Sequence, residues 1–175
     1  PLAEALLQRF RAAAHPRTHI VNLYGPTETT LAKLAYRVEE IQPGIQPVGH
    51  PQPGVDVVIL EDNRQRRGLN EIGEIAIRTP YRSHGYFGNE ELTRQSFIRN
   101  PWRDDPTDWI YLTGDLGRCP FRHLIEDDDA SRHRGQLEAR DRIVIHEERR
   151  GRHHFSCVVS GPPRRLRTIA VNRCA

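Results

Sequence analysis

At 175 residues the chain is long enough for one domain-sized core, or a modest core with an appendage. Its apolar fraction is 37%, and 13 glycines with 13 prolines cut it into short elements. No run approaches membrane-spanning length, the amino terminus lacks the apolar stretch of a secretion signal, and the formal charge of +3 is unevenly spread.

Residues 1–118 carry 14 basic against 15 acidic side chains, whereas 119–175 carry 12 against 8. The basic balance therefore belongs to the tail alone, and its steering effect does not extend to the whole chain. Lys33 is the single lysine, so nearly all the positive charge is arginine. Cys119, Cys157 and Cys174 show no close spacing and cannot all pair within the chain. A reducing compartment, and hence a cytoplasmic location, is expected over a disulfide scaffold. A start at Pro1 is expected of a piece of a longer protein.

Leu2, Leu6, Phe10 and Ala13 or Ala14 recur every three to four residues and predict an amphipathic helix that ends before His15-Pro16. Thr18–Leu23, short and β-branched, predicts a buried strand; helix and strand together read as one αβ unit entering a parallel sheet. The strand runs into Asn22-Leu23-Tyr24-Gly25-Pro26-Thr27-Glu28-Thr29, a polar loop of the kind that carries binding groups on a rigid scaffold. Residues 29–38 fit either an extended or a partly helical segment. The Pro- and Gly-rich run from Pro43 to Gly54 excludes a helix there.

Val55–Leu60 is the clearest strand, and Ile72–Ile77 the next; the polar turn between them predicts a hairpin-like pair in a smaller sheet or barrel. An aromatic, glycine-containing loop spans 81–87, and Glu90–Phe97 reads as a short helix with acids in its first turn. Trp109–Thr113 predicts a strand that delivers Asp115 at its end. In the tail, local strands are expected at Ile143–Ile145 and Phe155–Val159, the rest of 119–175 being a disordered basic extension.

Several of these groups suit a nucleotide. The Thr27 hydroxyl can donate to an anionic oxygen, and Glu28 beside it can face a phosphate only across a cation such as magnesium, which takes oxygen ligands. Tyr24 has a face for a base, and Asp115 could accept from vicinal hydroxyls as acids do for a ribose. Each group also has a plain structural reading: Tyr24 as a core aromatic, Glu28 as a solvated loop acid, Asp115 as a turn residue. No phosphate loop or dinucleotide fingerprint is present.

Taken together, Asn22–Glu28, Gly73-Glu74-Ile75-Ala76-Ile77, Gly85-Tyr86, Glu91-Leu92-Thr93 and Tyr111-Leu112-Thr113-Gly114-Asp115-Leu116 closely resemble the amino-acid-activating adenylation domains of non-ribosomal peptide synthetases. These belong with acyl-CoA synthetases and luciferases. The resemblance covers about residues 1–118 and implies an α/β fold with a β-barrel portion, as a fragment of the family's large N-terminal subdomain.

The resemblance also implies roles. Tyr24 lies near the adenine, Thr27 contacts the AMP phosphate, Glu28 takes part in magnesium binding and Asp115 binds the ribose hydroxyls. Asn22 and Gly25 belong to the same nucleotide site. Leu23, Leu31 and Ala32 would line part of an amino-acid pocket, favouring an apolar or uncharged substrate.

The implied reaction joins a substrate carboxylate to the α-phosphorus of ATP with Mg2+, then transfers the acyl group to a carrier-protein thiol on a phosphopantetheine arm. Beyond 118 the sequence departs from the family's hinge, and the tail has no lysine to serve as the family's terminal catalytic lysine. A frame change in the coding sequence, a splice or a truncation would each account for this.

A fragment of this kind is expected to be inactive, or nearly so, by itself. An alternative reading is a small basic interaction or nucleic-acid-binding module. Zinc binding by the tail histidines (His123, His133, His146, His153, His154) with Cys157 and Cys174 is disfavoured for want of close cysteine pairs.

Overall fold

The computed structural model describes residues 2–62, 64–119, 143–148, 155–160 and 167–171, with side chains described as far as Val144. The chain opens with α1 (Glu4–Ala13), whose flanking Ala14 is already extended, two residues ahead of Pro16. Its buried face is Leu7, with Leu2 and partly buried Phe10, packed on Ile20, Tyr36 and Val38. Leu6, placed in the apolar stripe by its spacing, is instead 45% exposed. Both leucines sit within one turn of Phe10, and the sheet beneath the helix selects Leu7.

The strand β1 (His19–Tyr24) alternates as expected, burying Ile20, Asn22 and Tyr24. A single 3-10 turn (Thr27–Thr29) follows, and the ambiguous segment after it resolves into β2 (Leu34–Arg37). The short β3 is His50–Pro51. Beyond these come β4 (Asp56–Leu60), β5 (Gly73–Arg78), the helix α2 (Glu90–Ser96), β6 (Phe97–Arg99) and β7 (Trp109–Arg118). Tail strands are β8 (Val144–Glu148), β9 (Phe155–Ser160) and β10 (Arg167–Val171). The first two fall where the sequence places strands; β10 was not anticipated.

These strands form two sheets, one ordered β10-β9-β1-β2-β3 and the other β4-β5-β7-β6, with β8 also pairing to β7. Two expectations are corrected here. The parallel αβ unit is not seen: β1 pairs antiparallel with both β2 and β9, and β4 with β5 in the predicted hairpin is antiparallel too. Nor is there a β-barrel portion, since among the described residues no ladder joins the end strands of either sheet. A barrel needs a sustained stagger that brings the first strand to the last. Here apolar residues of β1 and β2 pack against those of β4 and β5 across two open sheets instead.

The shared core contains Tyr24 and Leu34 from one sheet, Val57, Ile59, Ile75 and Ile77 from the other, with Val48, Val55, Cys119 and Ile143. A second cluster on the far side of β4 and β5 gathers Val58, Leu60, Ala76, Ile98, Ile110 and Leu112, with Trp102 packed on it. From Val57 to Leu60 successive residues of β4 thus enter different clusters, which is why all four are buried and why they read as a continuous apolar run.

At the edge of this layer Arg78 donates to Asp56 at 2.7 Å and to both oxygens of Asp108 at 2.7 and 2.9 Å, and Asn100 adds a bond to Asp108 at 3.0 Å. A charge-assisted lock of this kind ties β4, β5 and the approach to β7.

Ile143 lies beyond the region that carries the family resemblance, yet its side chain is fully buried in the shared core. Its backbone bridges the first sheet's loop: Val48 N–H donates to Ile143 O at 2.9 Å, and Ile143 N–H to Gly49 O at 3.1 Å. Ile143→Ala is therefore expected to destabilise the chain by about 2–4 kcal/mol, comparable with Ile59→Ala. Urea unfolding of both variants tests this; an unchanged midpoint for Ile143→Ala beside a lowered one for Ile59→Ala would refute the packing.

Candidate functional site

The loop after β1 is held in a compact reversal. Lys33 N–H donates back to Tyr24 O at 2.8 Å, and Thr29 and Thr30 N–H groups donate to Pro26 O and Thr27 O at 3.1 and 3.0 Å. Gly25 makes the reversal possible, because a Cβ there would stand 2.2 Å from Leu31 O. Thr30 and Leu31 take φ of 63° and 59°, a left-handed conformation that a β-branched residue rarely adopts. Backbone strain of this kind concentrates at functional sites.

This loop presents Thr27 exposed and Glu28 half-buried on the 3-10 turn. The aromatic loop 81–87 docks against it: Ser83 N–H donates to Glu28 O at 2.6 Å and the Thr30 hydroxyl to Tyr81 O at 2.7 Å. From that loop Tyr86 OH donates to Glu28 Oε1 at 2.6 Å, and its oxygen lies 3.3 Å from Tyr111 OH on β7. With the Tyr86 hydrogen committed to Glu28, the second bond runs from Tyr111 to Tyr86. Burial pushes the pKa of both phenols up, and Glu28 pushes Tyr86 further, so both remain neutral donors. Gly85, at φ 137° and with Thr93 where its Cβ would be, sets the approach of Tyr86, whose N–H donates to Thr93 Oγ1 at 2.9 Å.

The second carboxylate arrives on β7. Thr113 Oγ1 donates to Ile75 O at 2.7 Å and accepts from Asp115 N–H at 3.1 Å. Gly114, at φ 78°, turns its N–H onto Glu74 Oε1 at 2.6 Å, next to the register shift between Glu74 and Ala76. The strand is bulged and re-aimed at this point, and it runs on to Arg118 instead of ending at Gly114.

Asp115 is fully buried, and Tyr24 OH donates to its Oδ2 at 2.7 Å. Burial, then the carboxylate beside it, raises the Tyr24 pKa well above its ordinary value.

The structure thus brings Tyr24 and Asp115 into direct contact and sets Thr27 and Glu28 on the turn that follows. Tyr24 is 1% exposed, so its ring faces are taken by the core. Asn22 is also buried, its Nδ2 donating to Pro47 O at 2.8 Å. Leu23 is half-buried on β1, while Leu31 and Ala32 are exposed.

The partners that sequence reasoning missed are Tyr86 and Tyr111. Both stood in recognised motifs, Gly85-Tyr86 and Tyr111–Leu116, without a role of their own. Each is remote in sequence from Glu28, so no local signal could link them. The tail histidines and cysteines weighed for zinc, and the arginines weighed for nucleic acid, lie outside the described side chains.

The AMP-binding enzyme family matches residues 1–87. A D-alanine–D-alanyl carrier protein ligase of Bacillus velezensis is 38% identical over 123 residues, covering 66% of this chain and 22% of the relative. Surfactin synthase subunit 3 of Bacillus subtilis is 36% identical over 101 residues, covering 57% and 8%. In three dimensions the chain superposes with a TM-score of 0.62 on holo-PA1221, an NRPS protein containing adenylation and PCP domains, at 26% identity and covering 86% of this chain and 23% of that one. The chain therefore spans less than a quarter of each of these relatives. None of its described helices is long and apolar enough to cross a membrane. With the adenylation-type motifs on β1, the 3-10 turn and β7, and with these similarities, the chain belongs to the AMP-binding enzyme family as part of an adenylation domain.

Proposed function

We propose that the chain supplies one side of the site at which an ATP-dependent synthetase activates an amino acid as its aminoacyl-adenylate. The observation that carries this reading is the turn bearing Thr27 and Glu28, built directly onto the strand whose last residue grips Asp115.

The donor set fits a nucleotide phosphate with Mg2+. Among the described residues no three of His, Cys, Asp and Glu converge, so Glu28 would be a single protein ligand. A hard cation there would complete its shell with phosphate oxygens and water, the habit of magnesium at nucleotide sites. Bound so, the ion would offset charge on the phosphate oxygens.

The remaining work falls to the chain itself. The exposed Thr27 hydroxyl donates to a phosphate oxygen, stabilising charge as the substrate carboxylate attacks the α-phosphorus and pyrophosphate departs. Tyr86, backed by Tyr111, holds the Glu28 carboxylate in one orientation by donating to Oε1. Asp115 is the group for the ribose hydroxyls, and because it is fully buried against Tyr24, a ribose reaches it only once this contact loosens. Asn22 and Gly25 act on the same nucleotide by shaping the loop: Asn22 ties β1 to Pro47, and Gly25 admits the close reversal. The acyl acceptor we propose for the whole protein is a carrier-protein domain bearing a phosphopantetheine thiol, and the location we propose is the cytoplasm.

Titration calorimetry of residues 1–175 with ATP, with and without Mg2+, tests the reading. Magnesium-dependent binding is expected, weakened about tenfold or more by Thr27→Ala, which removes a hydrogen bond to a charged group. Asp115→Ala should also lose affinity. Binding indifferent to magnesium and to both substitutions would sink the proposal.

Tyr86→Phe leaves the ring and removes the hydroxyl that donates to Glu28 and accepts from Tyr111. It is expected to lower magnesium-dependent ATP affinity while changing the unfolding free energy by no more than about 1–2 kcal/mol. An unchanged affinity in the same calorimetric titration would show that Tyr86 does not orient Glu28.

A further inference from the structure

At the opposite end of β1 from Tyr24 the structure forms a second cleft, of about 310 Å3, between the C-terminal end of α1, the turn into β1 and the end of β2. His19 and Tyr24 mark the two ends of the strand, which places the cleft roughly 17 Å from the Thr27 loop at about 3.3 Å per strand residue. Ala14, His15, Pro16, Thr18 and His19, which form one wall, have no part in the nucleotide site.

The donors facing this cleft are Arg11, His15, His19 and Arg37, with Glu39 at its margin. Arg11 spends one nitrogen, Nη2, on Val38 O at 2.8 Å and Glu39 O at 2.6 Å, which fixes the guanidinium in place and leaves Nε and Nη1 uncommitted. Arg37 Nη2 lies 3.0 Å from His19 Nδ1. An arginine can only donate, so the ring accepts from Arg37 at its nearer nitrogen, with Nε2 also 3.5 Å from the same guanidinium nitrogen.

His15 Nδ1 accepts from Arg17 N–H at 3.2 Å, which leaves its ring donor at Nε2. Among the described residues neither Arg11 nor Arg37 has a carboxylate within ion-pair distance. Two forked cations and two imidazoles thus line one open volume, with Glu39 the one acid at its edge among the described residues.

We propose that this cleft binds a small tetrahedral oxyanion of the phosphate class. The volume lies at the lower end of the range for small-ligand sites. Planar guanidinium forks match oxyanion geometry in two-point contacts, and the His15 imidazole adds a directed donor at Nε2. Glu39 opposes the anion and sets a ceiling on its affinity.

The test titrates inorganic phosphate into the 175-residue chain at low ionic strength and follows backbone amide shifts. Saturable shifts confined to residues 15–20 and 37–39 are expected, with affinity weakened about tenfold in Arg37→Gln. His19→Gln should weaken binding less, and Glu39→Gln should strengthen it. All three side chains are exposed, so these changes leave the core intact. Shifts that do not saturate, that chloride at equal ionic strength reproduces, or that persist unchanged in Arg37→Gln would overturn the proposal. Sulfate in a parallel titration separates recognition of a tetrahedral dianion from recognition of phosphate alone; tighter binding of chloride than of either would overturn both.

Discussion

A buried hydrogen bond joins the two sheets at their functional end. Tyr24 OH donates to Asp115 Oδ2 across 91 residues of chain, with the phenol and the carboxylate both out of contact with solvent. In that low-dielectric setting the bond is stronger than in water and each group is costly to leave without a partner. The phenol is therefore held neutral, and the carboxylate is held where β7 is bulged. The loop after β1 and the bulge of β7 take their relative positions from this contact.

Around it the chain builds outward through further tyrosines. Glu28 follows the reversal that Gly25 permits, and Tyr86 reaches it from a loop that Gly85 and Thr93 set in position. Tyr111, the partner of Tyr86, stands on the same strand as Asp115 and stacks near Phe97, with ring centroids 4.9 Å apart. Two carboxylates are thus each governed by a phenol from the other side of the sheet interface. Such a network ties the electrostatics of the site to the packing of the core, so a change in one is felt in the other.

The same arrangement explains why two open sheets suffice. Tyr24 and Leu34 meet Val57, Ile59, Ile75 and Ile77 across the interface, and Ile143 from the tail packs into the same core beside Val48. Packing face to face removes the need to curl into a barrel.

The kinds of element and the kinds of group are legible in the chain's local patterns. Proline marked the end of α1, alternation marked β1, a doubly apolar run marked β4, and the motif order from Asn22 to Asp115 marked the family. All of these are local patterns of spacing and backbone preference, legible over a few residues. Tertiary structure alone decided that Leu7 and not Leu6 faces the sheet, that β1 pairs antiparallel on both sides, and that neither sheet closes. It alone set Tyr24 against Asp115 and Tyr86 against Glu28. Those choices depend on which surfaces meet after the chain has folded, and no short-range pattern encodes a hydrogen bond between residues 91 or 58 positions apart.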